Sequence, residues 1–494
     1  MAVSRLVVSL AGTEKEVCAL LRALPSGVDL IEWRLDVMNA LSVETIAALK
    51  KKSALPALFT WKQRGLKELW AFLKLSPTYL DLDWRTDPQL VSAIQARYPK
   101  LHIIASYHDF DTTPPDLERV LQAMMRFPAA VVKMATYART SLDALKMALF
   151  VARKSREGVR IAGMCMGSYG ALTRILGPIL GNFFVYAAPS KGKETAPGQL
   201  TVTELMQTYR LKRLRPATPI YGLIGKPVES SLGPRCHGAM LRALGKEGIY
   251  IKIELGRDEL AEAVFFLRAL SFRGLSVTMP LKEEILRHLD AIAPEAKKIG
   301  AINTVALRKG KWMGYNTDGI AACDALEARG QKLIGETVVI VGAGGAAKAV
   351  AWEARRRQAH IVIFNRTTRR AQILARGVQG EGLPLSAVEA LAELNCKAVI
   401  QATSIGMEPY VETAPPLPKK ISKEALALDF VAYPEKTRFL REAIARGAKG
   451  VISGREVYAR QAAAQIALWL EEPASKKMLI DAAYACFDQK DSSP

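Results

Sequence analysis

VVIVGAGGAAKAV, residues 338–350, opens with four apolar residues and continues with Gly342, Gly344 and Ala347 in G-x-G-x-x-G/A spacing. The apolar run reads as a strand buried on both faces, and the glycines as its turn into a helix. Gly342 permits the tight turn, Gly344 lets a pyrophosphate approach the backbone, and Ala347 lets the helix pack closely on the strand. Free N–H groups at the helix start would then face the phosphates. Gly342, Ala343, Gly344, Gly345 and Ala346 form the expected cradle. The next strand-like run, 360–364, leads into Asn365-Arg366-Thr367, with Arg369 and Arg370 just beyond. An acid there would bind ribose hydroxyls; a guanidinium binds a 2′-phosphate by charge-assisted hydrogen bonds. Asn365, Arg366, Thr367 and Arg370 are therefore the expected clamp, and NADP the expected cofactor.

Outward from this βαβ start, strand-like runs recur at 398–402, 427–431 and 450–452, and a helical stretch, 458–471, precedes a polar tail. Upstream, runs begin at Ile220 and Ile251 and recur at 275–277 and 302–305. Residues 210–219, RLKRLRPATP, are basic, end in prolines and read as a linker. The stretch before it carries eight strand-like runs, near 6–10, 30–35, 57–61, 79–83, 103–107, 131–134, 161–165 and 183–186. Helical patterns such as 116–126 and 142–153 separate them. Eight βα units predict a (β/α)8 barrel, with a doubly wound sheet as the alternative. The fold class is α/β throughout.

The chain has 494 residues, half of them hydrophobic, enough for several cores. Its formal charge is +21, but the basic residues are dispersed, without a basic tail or an aromatic-basic repeat. That favours basic pockets for anionic small molecules over nucleic acid. Six scattered cysteines without metal-ligand spacing read as reduced thiols, and no metal site is expected. The sequence has no apolar run long enough for a membrane span. A strand-like run begins almost at the first residue, which predicts a cytoplasmic bacterial protein, or a mature plastid form as the alternative. Oligomeric state is not indicated.

GKPVESSLGP (225–234), GLSVTMPLK (274–282), GAINT (300–304), GYNTDG (314–319) and the GAGGAA and NRT motifs together resemble shikimate dehydrogenase over roughly 219–472. The resemblance implies a shikimate-binding domain (219–318 and 453–480) and a Rossmann NADP domain (319–452). It implies Lys282 and Asp318 as the catalytic pair, Ser231 at the substrate carboxylate, and Thr278, Asn303 and Gln461 at its hydroxyls or ring. An ammonium beside a ketone can stabilise the alkoxide formed on hydride arrival, and a carboxylate holds that ammonium in place. The chain departs from the family pattern at Gly233, Ser276, Gln401 and Tyr433.

EWRLD (32–36), DLD (81–83), SYHDF (106–110), VVKMA (131–135), LTRIL (172–176) and TAPGQL (195–200) resemble type I 3-dehydroquinate dehydratase, a barrel expected over 1–213. The resemblance implies Lys133 as the Schiff-base former and His108 as the proton shuttle, with Asp83 orienting His108. Glu32, Arg34, Arg174, Thr195 and Gln199 would bind substrate. Lys62 stands where the family usually has Arg, with Arg64 as a possible replacement. The apolar neighbours Val131, Val132 and Met134 predict a lowered Lys133 pKa. The first reaction, 3-dehydroquinate to 3-dehydroshikimate, feeds the second, 3-dehydroshikimate to shikimate, so the whole resembles a bifunctional dehydratase–dehydrogenase. Its expected partners are these small molecules, with no nucleic acid and no membrane.

Overall fold

A computed structural model of the chain describes residues 4–488, apart from 39, 63–64, 394 and 473–474. The eight N-terminal runs form parallel strands: β1 Arg5–Leu10, β2 Leu30–Trp33, β3 Ala57–Thr60, β4 Tyr79–Asp83, β5 His102–His108, β6 Val131–Tyr137, β7 Ile161–Met166 and β8 Phe184–Ala187. They pair in sequence order, and β8 returns to β1. At the β7–β8 seam the Phe183 N–H donates to the Ile161 carbonyl at 2.7 Å. The circuit is a barrel, and the doubly wound alternative is excluded.

Barrel closure sets which side chains share a level. Tyr186 of β8 registers through Val7 with Leu30 of β2; Glu32 of β2 registers through Leu58 with Tyr79 of β4. Asp81 of β4 registers through Ile104 with Val131 of β6. When shear equals strand number, two steps along a hydrogen-bonded row lose roughly two residues of height. The residues two places beyond those partners therefore share the level of Tyr186, and the layer is Glu32, Asp81, Lys133 and Tyr186. Beneath it lie Val7, Leu58, Ile104 and Ala162, then Leu30, Tyr79, Val131 and Phe184, all in one buried cluster. The barrel thus has two apolar layers capped by a charged one.

A mixed six-stranded sheet follows, in the order β10-β9-β11-β13-β14-β12. Its strands are β9 Ile220–Gly225, β10 Ile249–Glu254, β11 Phe272–Val277, β12 Ala291–Ile292, β13 Thr304–Arg308 and β14 Lys311–Tyr315. A parallel six-stranded sheet comes next, in the order β17-β16-β15-β18-β19-β20. Its strands are β15 Thr337–Val341, β16 His360–Asn365, β17 Glu381–Pro384, β18 Cys396–Gln401, β19 Leu426–Asp429 and β20 Gly450–Ile452. Strand order reverses between β16 and β18 on either side of β15, the topological switch point at which α/β sheets bind ligands. Alternate residues of β15 enter two different clusters, Val338 and Ile340 on one face and Val339 on the other, so the strand reads as uniformly apolar. Among the described residues no helix is long and apolar enough to cross a membrane.

The apolar layers carry the barrel's packing. Ile104→Ala, in the middle layer, should destabilise it by about 2–5 kcal/mol. A fall in the urea midpoint of circular dichroism checks this.

Candidate active sites

The charged layer is the floor of a cleft of about 550 Å³, whose lining includes Glu32, Arg34, Lys62, His108, Lys133, Arg174, Tyr186, Thr195 and Gln199. Lys133 is 6% exposed. Its Nζ donates to Asp81 Oδ2 at 2.7 Å, reaches Glu32 Oε1 at 3.5 Å, and lies 4.3 Å from the Tyr186 ring centroid. Burial alone would lower the Lys133 pKa, but Asp81, Tyr186 and Glu32 more than offset it, and the net direction is upward. The expected lowering is thus corrected. The apolar residues beside Lys133 in sequence do not make its surroundings, because the layer comes from β2, β4 and β8.

Glu32 is fixed by Ser9, which donates to Oε2 at 2.5 Å, and by Thr60, which donates to Oε1 at 2.7 Å. Coulombic attraction to Lys133 and Arg34 holds its pKa low in spite of burial. Arg34 forms a paired contact with Asp36, at 2.8 Å for each bond, and donates to the Thr195 carbonyl at 3.2 Å. Gln199 Oε1 accepts from the Thr195 N–H at 2.9 Å. Arg174 is 2% exposed, donates to the Cys165 carbonyl at 2.6 Å, and has an unpartnered Nε. A buried guanidinium with no carboxylate partner among the described residues, lining a cleft, is suited to an anionic ligand.

His108 closes β5 at the cleft mouth. Both ring nitrogens lie 3.0 Å from Lys62 Nζ, and Phe110 stacks on the ring with centroids 5.9 Å apart. Burial first, then the charges of Lys133 and Lys62, push its pKa down to about 2, so the imidazole is neutral. Asp83 does not orient it. Two residues above Asp81 on β4, Asp83 reaches the barrel rim, where Arg85 takes its carboxylate at 2.8 Å. Arg64 lies outside the described residues. Sequence reasoning missed Asp81, Ser9, Thr60 and Tyr186. The D-L-D run held Asp81, but its level relative to Lys133 depends on barrel shear.

In the second half, Lys282 Nζ donates to Asp318 Oδ2 at 2.5 Å. Asp318 begins the helix Asp318–Ala328, where the dipole favours a carboxylate, and Asn303 Nδ2 donates to its Oδ1 at 2.7 Å. Asn303 also donates to Thr317 Oγ1 at 2.9 Å, so it orients the pair directly. Ser231 Oγ accepts the Gly233 N–H at 3.1 Å as the helix Gly233–Ala243 starts. Thr278 follows β11, its N–H donating to the Ile224 carbonyl at 2.9 Å, and Gln461 is half-buried on the helix Gly454–Leu470.

Three departures have physical reasons. A Cβ at Gly233 would lie 2.5 Å from the Tyr250 ring, which stacks on His237 at 4.0 Å. Ser276 donates to Gln465 Oε1 at 2.8 Å, while Gln465 Nε2 donates to Thr304 Oγ1 at 3.0 Å. Gln401 bridges its own loop, accepting from the Thr403 N–H at 2.5 Å and donating to the Ile405 carbonyl at 2.8 Å. Tyr433 is half exposed.

The residues of the glycine turn fit a dinucleotide. Gly342 has φ +121°, and a Cβ there would lie 2.9 Å from the Ala402 carbonyl. A Cβ at Gly344 would point into open space, and the helix Gly345–Arg356 begins there without a side-chain cap, leaving its first N–H groups available. Ala343 and Ala346 flank the turn, half-buried. A Cβ at Gly345 would lie 3.1 Å from the Lys282 side chain, so the turn adjoins the Lys282–Asp318 pair. Asn365 Nδ2 donates to the Thr367 carbonyl at 3.0 Å. Arg366, Arg369 and Arg370 are exposed at the start of the helix Thr368–Gly377. Cations at a helix N-terminus are electrostatically disfavoured, an arrangement that suits a bound anion.

Comparison with known proteins supplies names. Residues 6–216 match the family model for type I 3-dehydroquinase, 223–305 that for the shikimate dehydrogenase substrate binding domain, and 324–425 that for shikimate / quinate 5-dehydrogenase. The chain is 34% identical over 499 residues to the chloroplastic bifunctional 3-dehydroquinate dehydratase/shikimate dehydrogenase of Arabidopsis thaliana, covering 94% of this chain and 81% of that relative. It is 32% identical over 458 residues to the shikimate biosynthesis protein AroDE of Chlamydia pneumoniae, covering 90% and 91%. A solved shikimate dehydrogenase in complex with NADP+ is 31% identical, with TM-score 0.51, over 55% of this chain and 96% of that one.

The charged layer makes a direct prediction. In Asp81→Asn, burial is opposed by less negative charge, so the Lys133 pKa should fall. The pH dependence of Lys133 reductive methylation, read by mass spectrometry, should shift down; an unchanged profile contradicts the assignment.

Proposed function

This chain belongs to the family of bifunctional 3-dehydroquinate dehydratase/shikimate dehydrogenases, and from that premise we propose how its residues divide the two reactions. It is a lyase and an NADP-dependent oxidoreductase of the shikimate pathway. We assign 1–213 to dehydration, 219–318 with 453–480 to shikimate binding, and 319–452 to NADP.

Lys133 gives up a proton to water in the cleft and attacks the ketone of 3-dehydroquinate as the amine; the carbinolamine oxygen takes a proton back and leaves as water, and a cationic iminium remains. Asp81 and Glu32, set against the ammonium, then face another cation at the same level. The iminium acidifies the adjacent carbon, His108 takes its proton, and the imidazolium returns that proton to the leaving hydroxyl. Hydrolysis of the imine frees 3-dehydroshikimate. Arg174 receives the substrate carboxylate, with Arg34, Lys62, Thr195 and Gln199 around the ring. The observation that carries this reading is Lys133, buried on a carboxylate layer at the floor of a cleft that also holds a neutral imidazole and a guanidinium whose Nε has no partner.

For the second reaction, Gly342 to Ala346 hold the pyrophosphate and Asn365, Arg366, Thr367 and Arg370 the 2′-phosphate. When bound there, NADPH supplies hydride to the ketone. Lys282 stabilises the alkoxide and gives it a proton, and Asp318 keeps that ammonium aimed. Ser231 takes the carboxylate, and Thr278, Asn303 and Gln461 border the ring. The location is cytoplasmic, or the plastid stroma if the chain is a mature plastid form.

Purified protein given 3-dehydroquinate and NADPH should produce shikimate; comparable turnover of quinate with NADP+ would overturn the shikimate assignment. Lys133→Ala should abolish dehydration and leave shikimate oxidation intact, and borohydride with 3-dehydroquinate should trap an adduct on Lys133. Arg366→Ala with Arg370→Ala should raise the NADPH KM by roughly 10–100-fold, the worth of one or two charge-assisted hydrogen bonds, with little change for NADH.

A further inference from the structure

The reading above treats Lys62 as a substrate contact, but its position in the cleft says more. Lys62 lies two residues beyond Thr60, and His108 two residues beyond Ser106, so both reach the cleft mouth from alternate strands. Lys62 Nζ is 3.0 Å from Nδ1 and 3.0 Å from Nε2 of His108. Among the described residues no carboxylate lies within ion-pair distance of Lys62: Asp81 is taken by Lys133 at 2.7 Å and Asp36 by Arg34 at 2.8 Å. The charges facing the imidazole are Lys133, Lys62, Glu32 and Arg34; those facing Lys62 are Asp81, Lys133, Arg34 and Asp36. Lys62 is thus the cation in direct contact with the ring, and Glu32, a carboxylate that opposes it, is bonded to Ser9 and Thr60.

We propose that Lys62 is a positioning residue that sets the basicity of His108. An ammonium against an imidazole disfavours a second positive charge on the ring. His108 therefore meets substrate as a free base, in mildly acidic as well as neutral solution. Once it has taken the carbon-bound proton, the imidazolium faces Lys62 at contact distance and is a stronger acid for it. That proton passes to the leaving hydroxyl and departs in water; none is taken from Lys62, whose own pKa burial lowers, with Lys133 and Arg34 adding to the fall and Asp81 and Asp36 opposing it. The Lys62 charge, added to that of Lys133, thus serves both halves of the shuttle: it keeps the base ready and makes the acid strong. The role needs a permanent cation, which Arg would also supply.

This inference rests on His108 being the proton shuttle, and the test separates the two claims. The dehydration rate, kcat, is followed against pH for the full chain and for Lys62→Arg, Lys62→Met and His108→Asn. Shikimate oxidation by the other half and circular dichroism confirm that each variant is folded. The acid limb of the profile should rise by one pH unit or more in Lys62→Met, a tenfold or greater loss of rate on that limb, and stay in place in Lys62→Arg. NMR of the His108 ring should show the same upward shift in Lys62→Met alone. An acid limb unmoved in Lys62→Met, or moved equally in Lys62→Arg, overturns the role of Lys62. If His108→Asn retains dehydration, the shuttle assignment itself has failed.

Discussion

The Lys133–Asp81 contact at 2.7 Å is the interaction on which the dehydratase half is organised. An ammonium taken out of water loses several kcal/mol of solvation unless it is closely paired. The barrel meets that demand with geometry alone, since strand tilt and shear bring β2, β4, β6 and β8 to a common level. Glu32, Asp81, Lys133 and Tyr186 then occupy one layer. The two layers below are apolar and supply the burial that keeps the charged layer in place. Asp81 Oδ1 and the Tyr186 hydroxyl are left without partners in that layer. Unsatisfied buried polar atoms are uncommon in folded proteins, and one of these belongs to Tyr186, which lines the cleft.

The dehydrogenase half solves the related problem differently. Its Lys282–Asp318 pair is less deeply buried on the lysine side, and the carboxylate is held by a helix N-terminus and by Asn303 in place of a closed layer. A cleft that must admit a dinucleotide and a ring cannot wall in its lysine as a barrel does. The adjoining turn is kept narrow instead by Gly342 and Gly345, whose missing side chains leave room for Ala402 and Lys282. At Gly233 a similar close approach, by Tyr250, accounts for a residue that departs from the family pattern.

Strands were legible in the sequence wherever an apolar run was long and bounded. All eight barrel strands and β15, β16, β18, β19 and β20 fall on such runs. The strands β12, β14 and β17 escaped notice: β12 and β17 end their sheets, where few side chains are buried, and β14 starts on exposed Lys311 and buries only Trp312 and Gly314. The site was legible in kind but not in level. A strand's sequence neighbours point to opposite faces, so Val132 and Met134 report the outer surface of β6, whereas the surroundings of Lys133 come from three other strands. For the same reason Asp83 and Asp81 look interchangeable in D-L-D, although one reaches the rim and the other the lysine.

The charge of +21 belongs to the same account. The lining of the dehydratase cleft includes four basic side chains, Arg34, Lys62, Lys133 and Arg174, against one acid, Glu32. A concave, partly desolvated surface concentrates such an imbalance into an attractive field for a carboxylate. At the other site, three arginines stand at a helix N-terminus, where their mutual repulsion and the dipole both oppose them. Neither arrangement lowers the energy of the empty protein. Each becomes favourable once an anion is bound, and so these two concentrations of positive charge are read as anion sites.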